Sequence, residues 1–315
     1  MYIDLQKRNC PLCNDANSKF LFSSKDYRYH SVENEFEYSE CTKCQHIFLS
    51  TYPKKEDVVK LYPPTLMNYG DIETSNSIGY RVKNHLDFIN IRNTIKKTGI
   101  QKISALDIGC GTGLYLDQLK KLNGHIAIET LEGMEISEHA CQVAKGKGYT
   151  IHQCLLEDFQ TDKKYNVIIM QQVIEHLHDL DASFKILSKL LSPDGILIIE
   201  TPNMNCLDRA IFKKYWEGYH TPRHFNLFRK KSFGTWLGKY SFAIHEMKLK
   251  IKPVHWIYSF QNMLIVNGDK EKGLARFFTY KNTFLLLFFT PFDLFQILFL
   301  RKSSDVQYIL KKKDS

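Results

Sequence analysis

The sequence predicts an α/β protein with a parallel sheet, helices on both of its faces, and two smaller attached parts. Three observations support this prediction. Residues 103–251 alternate between apolar runs of strand length and helical patterns. One of the runs ends in glycines spaced G-x-G-x-G, at Gly109, Gly111 and Gly113. The first 50 residues carry two C-x2-C pairs, which predict a small separate unit.

The composition is that of an ordinary globular protein. The chain has 315 residues, of which 43% are hydrophobic and 24% are charged, so there is room for one large domain and small additions. The first residues lack the apolar core of a secretory signal, and we therefore expect a cytoplasmic protein. In a reducing compartment the eight cysteines are not expected to form disulfides, so their spacing is considered for metal binding.

The N-terminal unit, residues 1–50, is expected to be a zinc ribbon. Two C-x2-C pairs stand 27 residues apart, and each pair holds two thiolates on a tight turn. Four cysteines complete the shell of one tetrahedral ion, so zinc would be structural rather than catalytic. Unmetallated turns are one alternative, and a redox dithiol is disfavoured because there are two pairs. The predicted ligands are Cys10, Cys13, Cys41 and Cys44.

A connector is expected over residues 51–79, because consecutive prolines at Pro63 and Pro64 stop helices and strands alike. The main domain is expected to cover residues 80–251. It should begin with a helix from Tyr80 to Lys97, in which apolar residues recur at helical spacing.

The glycine loop follows an apolar strand that ends at Ile108, and a helix from Leu114 to Lys121 is predicted after it. Glycines permit tight turns and close approach of a ligand, toward which the helix N-terminus presents backbone amides. A dinucleotide fingerprint, G-x-G-x-x-G, would place its third glycine at position 114, which is leucine. The alternative to a ligand loop is a tight turn that binds nothing.

Acidic residues follow the next predicted strands. Glu135 ends a second strand 22 residues beyond the last glycine of the loop, at the distance expected for a carboxylate that accepts ribose hydroxyls. Asp158 lies just beyond a third candidate strand. A fourth strand is predicted over Tyr165–Met170, and a fifth over Ile196–Glu200 after a Pro-Asp-Gly turn.

The order and spacing of these elements resemble the core of class I methyltransferases that use S-adenosylmethionine (SAM). The stretch Leu106–Gly113 is similar to motif I of that family. The resemblance implies a Rossmann-like sheet, with the glycine loop around the methionine part of SAM, Glu135 at the ribose and Asp158 near the adenine. The cofactor-binding residues that it implies are Asp107, Gly109, Gly111, Gly113, Glu135, Asp158 and Gln172.

A narrower resemblance combines the double C-x2-C unit with Glu175–His176, Thr201–Asn203, Trp216 and Pro222–His224. This combination is similar to bacterial methyltransferases of cell-surface polysaccharide or glycolipid synthesis, and the core is similar to ubiquinone-pathway O-methyltransferases. It implies an enzyme that methylates a small-molecule, saccharide or lipid-linked acceptor at a hydroxyl.

The acceptor is expected at the loops beyond the fourth and fifth strands, since ligands of open α/β sheets bind there. Methyl transfer needs a nucleophile aligned behind the methyl group and, for a hydroxyl, removal of a proton. His176 and His224 are the candidate bases, and Arg223 is the candidate for charge recognition. The structural alternative is hydrogen-bonded core histidines and an arginine that pairs with a carboxylate.

Two other functions are left open by the sequence. The net charge of +9 suits anionic partners, as in a zinc-ribbon RNA methyltransferase. The ribbon segment, however, carries both signs of charge and no dense basic stripe, which argues against nucleic acid as a partner. A non-catalytic scaffold with the same fold is the second alternative, and the intact glycine loop and Glu135 argue against it.

The C-terminal part is expected to be an apolar helical insertion at 252–304, followed by a final core strand and basic tail at 305–315. The apolar run Thr283–Leu300 approaches the length of a membrane span. Pro291 is expected to divide it, so that short helices fold back and the last strand rejoins the sheet. The segment 274–303 would then cap the acceptor site, contact the inner face of the cell membrane, or pack in the core or a dimer interface.

Overall fold

The computed structural model describes residues 1–62, 78–268 and 273–313. Pro63 and Pro64 of the predicted connector lie outside the described residues, whereas Pro53, which also marks it, ends a strand that pairs with the N-terminal strand, and a 3-10 helix follows over Lys55–Leu61. In chain order the strands are β1 (Leu5–Lys7), β2 (Ser18–Ser24), β3 (Phe36–Cys41), β4 (Ile47–Leu49), β5 (Thr51–Pro53), β6 (Lys102–Ile108), β7 (Ala127–Met134), β8 (Thr150–His152), β9 (Tyr165–Gln171), β10 (Leu191–Pro202), β11 (Asn226–Leu227), β12 (Phe242–Lys250) and β13 (Asp305–Lys312). The α-helices are α1 (Ile78–Thr98), α2 (Leu114–Lys120), α3 (Glu138–Gly146), α4 (Leu180–Leu190), α5 (Leu207–Phe212), α6 (Lys230–Leu237), α7 (Val254–Val266) and α8 (Thr283–Leu300).

The core is a seven-stranded sheet in the order β12-β13-β10-β9-β6-β7-β8. Strands β6 to β10 run parallel to one another, whereas β13 runs antiparallel to both β10 and β12. The central strands are apolar runs buried on both faces, as a parallel sheet between helical layers requires. The predicted α/β fold is therefore confirmed, including the return of the last strand to the sheet.

The N-terminal unit is less separate than the sequence predicts. Its main sheet has the order β11-β4-β3-β2, so the two-residue strand β11, which follows the fifth core strand in the chain, completes it. The same hydrophobic cluster contains Phe36 and Tyr38 of the ribbon and Trp216 and Phe225 of the core loop. A ribbon of this size has too little apolar interior to be stable alone, which explains why it shares a core.

The C-terminal insertion contains two helices, α7 and α8, but Pro291 does not divide the apolar run as predicted. Helix α8 is continuous from Thr283 to Leu300 with Pro291 inside it. Its polar residues face the protein: Asp293 and Gln296 are buried, and the Trp256 indole nitrogen donates to Asp293 Oδ1 at 3.0 Å. These buried contacts with α7 hold both halves of α8 in place, which offsets the lost backbone hydrogen bond.

Candidate active site

The glycine loop lies where β6 and β7 end, at the carboxyl edge of the sheet. Gly109 and Gly113 have φ values of +71° and +89°, a conformation that favours glycine. A Cβ at Gly109 would also lie 2.5 Å from Val173 Cγ2, so the backbone approaches the segment after β9 closely. The loop thus brings backbone amides to the ends of three adjacent strands.

Glu135 ties this loop to the end of β7. Its Oε2 accepts a hydrogen bond from the Gly111 amide at 2.9 Å, and its Oε1 accepts from the Ile136 and Ser137 amides, both at 2.8 Å. A carboxylate offers about four lone-pair sites, so one remains for a ligand hydroxyl. Glu135 therefore shapes the loop in addition to the ligand role that the sequence predicts for it.

Asp107 is buried at the end of β6, and its Oδ2 has no hydrogen-bond partner among the described residues. Burial, and then the charge of Glu135, raise the pKa of Asp107 well above its usual value. A cationic ligand would stabilise this carboxylate, and SAM carries two cationic groups. The unpartnered carboxylate oxygen beside the glycine loop therefore fits SAM.

The other two predicted cofactor residues lie in different surroundings. The Asp158 side chain is 58% exposed and stands 3.6 Å from Lys55 Nζ. Gln172, with a φ of +54°, donates from Nε2 to Asp305 Oδ2 at 2.9 Å, which joins the end of β9 to the start of β13. Asp158 is thus open to a ligand, whereas the Gln172 amide is already bonded.

Three histidines form an imidazole cluster beside the loop: His176, His220 and His224. The ring centroid of His224 lies 4.7 Å from that of His176 and 5.0 Å from that of His220. Burial lowers the pKa of His176 to about 4 and the pKa values of His220 and His224 well below their usual value. All three rings are therefore neutral near pH 7.

The backbone orients two of these rings. The Nδ1 of His176 lies 3.0 Å from the carbonyl oxygen of Arg223 and 3.0 Å from the hydroxyl of Tyr62, and the Nδ1 of His224 lies 2.8 Å from the carbonyl oxygen of Gly218. A carbonyl oxygen only accepts, so Nδ1 carries the proton in both rings. Each Nε2 therefore presents a lone pair.

Glu175 is fully buried beside the cluster, in the turn that follows β9. Its Oε2 accepts from the Thr201 hydroxyl at 3.0 Å, while Oε1 has no hydrogen-bond partner within the described part of the chain and lies 4.0 Å from His224 Nε2. Burial raises the pKa of Glu175 to about 8. The sequence analysis named Glu175 only as part of a motif shared with related methyltransferases and did not select His220, since neither residue has a spacing signal of its own.

Arg223 has a different place from the one predicted. It is fully buried, and its guanidinium forms an ion pair with Asp26 of the ribbon at 2.7 Å. Its remaining donors reach Ser31 and the carbonyl oxygens of Leu61 and Thr221. All five N–H donors are thus directed at the protein itself, so in this arrangement Arg223 joins ribbon to core rather than recognising an acceptor.

A buried charged network at the same edge was not predicted at all. Lys252 Nζ lies 3.0 Å from Glu200 Oε1 and 2.9 Å from Asp305 Oδ2, and His255 Nε2 lies 3.0 Å from Asp305 Oδ1. Although burial opposes their charges, Asp305 raises the pKa values of Lys252 and His255, and both hold its own pKa well below the usual value. These residues are distant in sequence and meet because β10 and β13 pair.

The four cysteines predicted as ligands come together in the ribbon. Their Sγ atoms all lie within 4.8 Å of one another, and the Cys10–Cys44 and Cys13–Cys41 pairs are separated by 3.5 Å. Tetrahedral zinc with bonds of about 2.3 Å requires S–S distances of roughly 3.8 Å. The donor set and its spacing therefore fit a structural zinc ion.

Residues 83–247, more than half of the chain, match the sequence profile of a methyltransferase domain. The chain belongs to the methyltransferase-domain family. The ubiquinone biosynthesis O-methyltransferase of Rickettsia conorii is 28% identical over 182 residues, which cover 56% of this chain and 61% of the relative. That of Rickettsia felis is 33% identical over 121 residues, 38% and 49% of the two chains. The chain thus spans about half the length of the curated relatives it matches.

A solved structure confirms the fold of this methyltransferase. The putative sarcosine dimethylglycine methyltransferase of Galdieria sulphuraria superposes with a TM-score of 0.52 at 13% identity, covering 78% of this chain and 91% of that one. At this identity the likeness concerns the fold alone. The class I SAM-dependent architecture predicted from the glycine loop is therefore confirmed, and the carboxylates of Asp107 and Glu135 fit SAM as the cofactor.

Proposed function

We propose that this methyltransferase transfers the methyl group of SAM to a hydroxyl of a small-molecule, saccharide or lipid-linked acceptor. The observation that carries the proposal is the contact between the two halves of the site. Val173 packs against Gly109 of the cofactor loop and stands three residues before His176 of the imidazole cluster. A methyl donor on the loop and an acceptor beside the cluster would therefore be close neighbours.

SAM, when bound, supplies a methyl group that its sulfonium already activates. The chain then has to hold the donor, align the acceptor oxygen and take up a proton. Glu135 and the glycine loop hold the donor. Asp107 compensates its cationic charge, and Asp158 contacts an exposed part of it. The neutral imidazoles of His176 and His224 serve the last task, since each has an Nε2 lone pair directed away from its backbone partner.

A polar cleft between the ribbon sheet and the loop after β10 is the proposed acceptor entrance. His220 lines its wall together with Tyr27 and Tyr215, and the exposed cations Lys25 and Lys214 also border it. Aromatic rings and cations suit a saccharide or an anionic small molecule better than a flat apolar one. The named activity of the curated relatives, ubiquinone biosynthesis, favours O-methylation.

The test is methyl transfer from labelled SAM to fractionated cell extract, with products sorted into small-molecule, saccharide, lipid, RNA and protein fractions. We expect label in one of the first three fractions, and its loss with the variant Glu135→Ala. His245 is exposed on β12, so His245→Ala serves as a matched control that keeps the labelling pattern. Label mainly in RNA would instead support the zinc-ribbon RNA methyltransferase.

We also propose that α8 contacts the cytoplasmic face of a membrane. Among the described residues, α8 is the one helix with the length and apolar composition of a membrane span, and only 22% of it is buried. Its outward face includes Phe284, Leu287, Leu298 and Phe299, each more than 60% exposed. The one acidic residue of the segment 273–304 is the buried Asp293, while four basic residues flank the helix, which suits anionic lipid.

Both ends of α8 remain attached to the same domain, which is why a peripheral contact is proposed rather than a crossing. Gln261 of α7 donates to the Ala275 carbonyl at 3.2 Å ahead of the helix, and β13 begins at Asp305 just beyond it. In flotation with anionic vesicles, the wild type should be recovered in the vesicle fraction, whereas little of the variant Phe284→Ser/Phe299→Ser should float. Phe20→Ser, at an exposed ribbon position, is the control, and equal recovery of all three proteins would reduce α8 to a packing element.

A further inference from the structure

We infer that the acceptor is an amphiphile whose hydrocarbon tail binds in an apolar groove between α5, α7 and α8. The inference rests on the proposed function and selects the lipid-linked class among its three acceptor classes. The groove has a volume of about 450 Å³, which falls within the range of about 300–1,000 Å³ that is usual for small-molecule sites. Six apolar residues line it, namely Leu207, Ile211, Trp256, Pro291, Phe292 and Phe295.

The chemistry of this lining favours a hydrocarbon chain. Every described residue that lines the groove is apolar, and the indole N–H of Trp256 is directed away to Asp293 at 3.0 Å. A saccharide or a nucleotide would leave its hydroxyls or charges without partners there, which costs free energy. A methylene chain has no such groups, and each buried methylene increases the affinity by up to roughly fourfold.

Polar contacts of α8 hold the walls of the groove in place. Asp293 accepts the indole hydrogen bond from α7, and Gln296 Oε1 accepts a hydrogen bond from the Leu207 amide, at the start of α5, at 3.0 Å. Asp293 and Gln296 are both buried, so these contacts fix the spacing of the three helices. A groove with fixed walls does not have to reorganise when a ligand enters, which favours binding.

The floor of the groove is buried and its rim is open. Trp256 is 3% exposed, whereas Ile211, Phe292 and Phe295 are each more than 40% exposed. The rim continues into the outward face of α8, since the ring centroids of Phe295 and Phe299 lie 5.2 Å apart. That face is the proposed membrane contact, so a lipid tail can pass from a bilayer into the groove over an apolar surface.

The groove and the polar cleft lie on the same two segments of the chain. On α7, Trp256 lines the groove and Asn262 lines the cleft, and six residues of helix separate them by roughly 9 Å. At the end of α5, Ile211 lines the groove, and Lys214, three residues later, lines the cleft. A polar head in the cleft and a tail in the groove can therefore belong to one molecule.

Buried contacts also connect the groove to the edge of the sheet that carries the cofactor loop. Asp293, which bonds the groove wall, accepts a hydrogen bond from the Lys252 amide. Lys252 Nζ pairs with Asp305, which in turn accepts from Gln172 at the end of β9. Gln172 adjoins the turn that packs against the cofactor loop. The tail and the methyl donor would thus be held in a fixed relation to each other.

The probes are alkyl glucosides with hexyl, octyl and decyl chains, each kept below its micelle concentration and titrated by calorimetry. For the wild type we expect the affinity to rise several-fold with each methylene, up to roughly fourfold. Equal affinity across the series, or no binding at all, would overturn the inference.

A charge placed on the rim should remove this binding. In Phe295→Asp and in Ile211→Asp the affinity for decyl glucoside should fall at least roughly tenfold, because a carboxylate is costly beside a hydrocarbon chain. Leu294 is exposed next to Phe295 but does not line the groove, so Leu294→Asp is the matched control and should bind like the wild type. An equal loss in Leu294→Asp would assign binding to the outward face of α8 and overturn the groove.

A measurement on the wild type covers the case in which a groove variant does not fold. The chain has three tryptophans: Trp256 lines the groove, Trp216 lines the cleft and Trp236 packs in the core of the sheet domain. With these labelled with fluorine-19, decyl glucoside that carries a spin label at its chain end should broaden the Trp256 signal most. Stronger broadening of either other tryptophan would contradict the proposed site.

A second copy of the chain is the competing occupant of the groove. Sedimentation of the wild type and of Phe295→Asp distinguishes it from a lipid tail. We expect both proteins to sediment alike. A wild-type dimer that Phe295→Asp converts to a monomer would show that a partner chain covers the groove and would overturn the inference.

Methyl transfer separates this inference from the proposed function. With labelled SAM and fractionated extract, label should enter the lipid fraction, and Phe295→Asp should lower this labelling at least roughly tenfold with SAM affinity unchanged. Label only in the small-molecule or saccharide fraction would overturn the inference and leave the proposed methyl transfer standing. Chain-length-dependent binding in the groove without label in any fraction would support the tail site and count against the proposed function.

Discussion

Two clusters of ligand-type side chains, one in the ribbon and one beside the cofactor loop, differ in chemistry and in completeness. The four cysteines supply a closed set of soft ligands from two local turns. Glu175, His176 and His224 supply three harder ligands from two loops that follow different core strands. A complete thiolate shell leaves a zinc ion no open coordination position, so that ion would stabilise the fold, whereas the neutral imidazoles present lone pairs to an acceptor proton.

Arg223 lies between the two clusters and connects them. Its carbonyl oxygen contacts His176 while its guanidinium binds Asp26 in the ribbon. Folding of the ribbon is therefore coupled to the position of His176, one of the two proposed bases. The ribbon is a support for the acceptor side of the site rather than an independent appendage.

Removal of the ribbon metal should have the largest effect. We expect zinc in roughly one equivalent, and in Cys41→Ser its loss with several kcal/mol of destabilisation, since metal binding supplies much of the folding energy of small ribbons. Limited proteolysis should then cut the ribbon and loosen the loop that carries β11. Cys154 lies outside the cluster, so Cys154→Ser should keep both metal and stability. Less than about half an equivalent of zinc in the wild type would contradict the site.

The second-largest effect is expected from loss of the ion pair between Arg223 and Asp26, which joins the ribbon to the core. Arg223→Met leaves Asp26 buried and unpaired, which typically costs about 3–5 kcal/mol in the free energy of unfolding. Arg229→Met breaks the more exposed pair with Glu40 and should cost less than about 1 kcal/mol. Chemical denaturation of the three proteins measures both effects. Equal losses in the two variants would show that Arg223 does not join the regions.

Acid should destabilise the folded protein through the imidazole cluster, because protonation of its buried rings is unfavourable. The folded pKa of His176, about 4, lies below its unfolded value, so its contribution is fully present above pH 6.5 and is lost as the pH falls toward 4. The shift corresponds to about 3 kcal/mol. Denaturation between pH 7 and 4 should show this slope, and His176→Gln should reduce it but not abolish it, because burial also lowers the pKa values of His220 and His224. An unchanged slope in His176→Gln would assign the acid sensitivity to other groups.

Turnover should depend on His176 and His224 of the imidazole cluster but not on the exposed His245. His224→Ala removes an Nε2 lone pair from the acceptor site and should lower turnover by roughly a hundredfold or more, with SAM affinity unchanged. His245→Ala should retain full turnover. Steady-state kinetics together with calorimetric SAM titration decide the matter, and full activity in both His176→Ala and His224→Ala would exclude histidine from the chemistry.

The cofactor side should show the smallest effect. Glu135→Ala removes the acceptor of three backbone amides and of the proposed ribose contact, so SAM binding should weaken by about 1–3 kcal/mol. Calorimetry measures this loss directly. Because Glu135 also shapes the loop, Glu135→Gln should recover only part of the affinity. Unchanged SAM affinity in Glu135→Ala would remove this residue from the binding site.

The sequence by itself determined the succession of core strands along the chain, the glycine loop, the candidate zinc ligands and the return of the last strand to the sheet. These features depend on apolar periodicity, on turn residues and on short fixed spacings, all of which act within a few residues. For the same reason the acidic residue at the end of β7 could be selected before its contacts were known.

Only the tertiary structure decided which side chains meet. The ion pair of Arg223 with Asp26 spans 197 positions, and the network around Lys252 and Asp305 depends on the pairing of β10 with β13. The course of α8 through Pro291 depends on buried contacts with α7 that outweigh the local preference for a break. Burial and long-range pairing set the partners and pKa values of charged groups, and these depend on elements far apart in the chain.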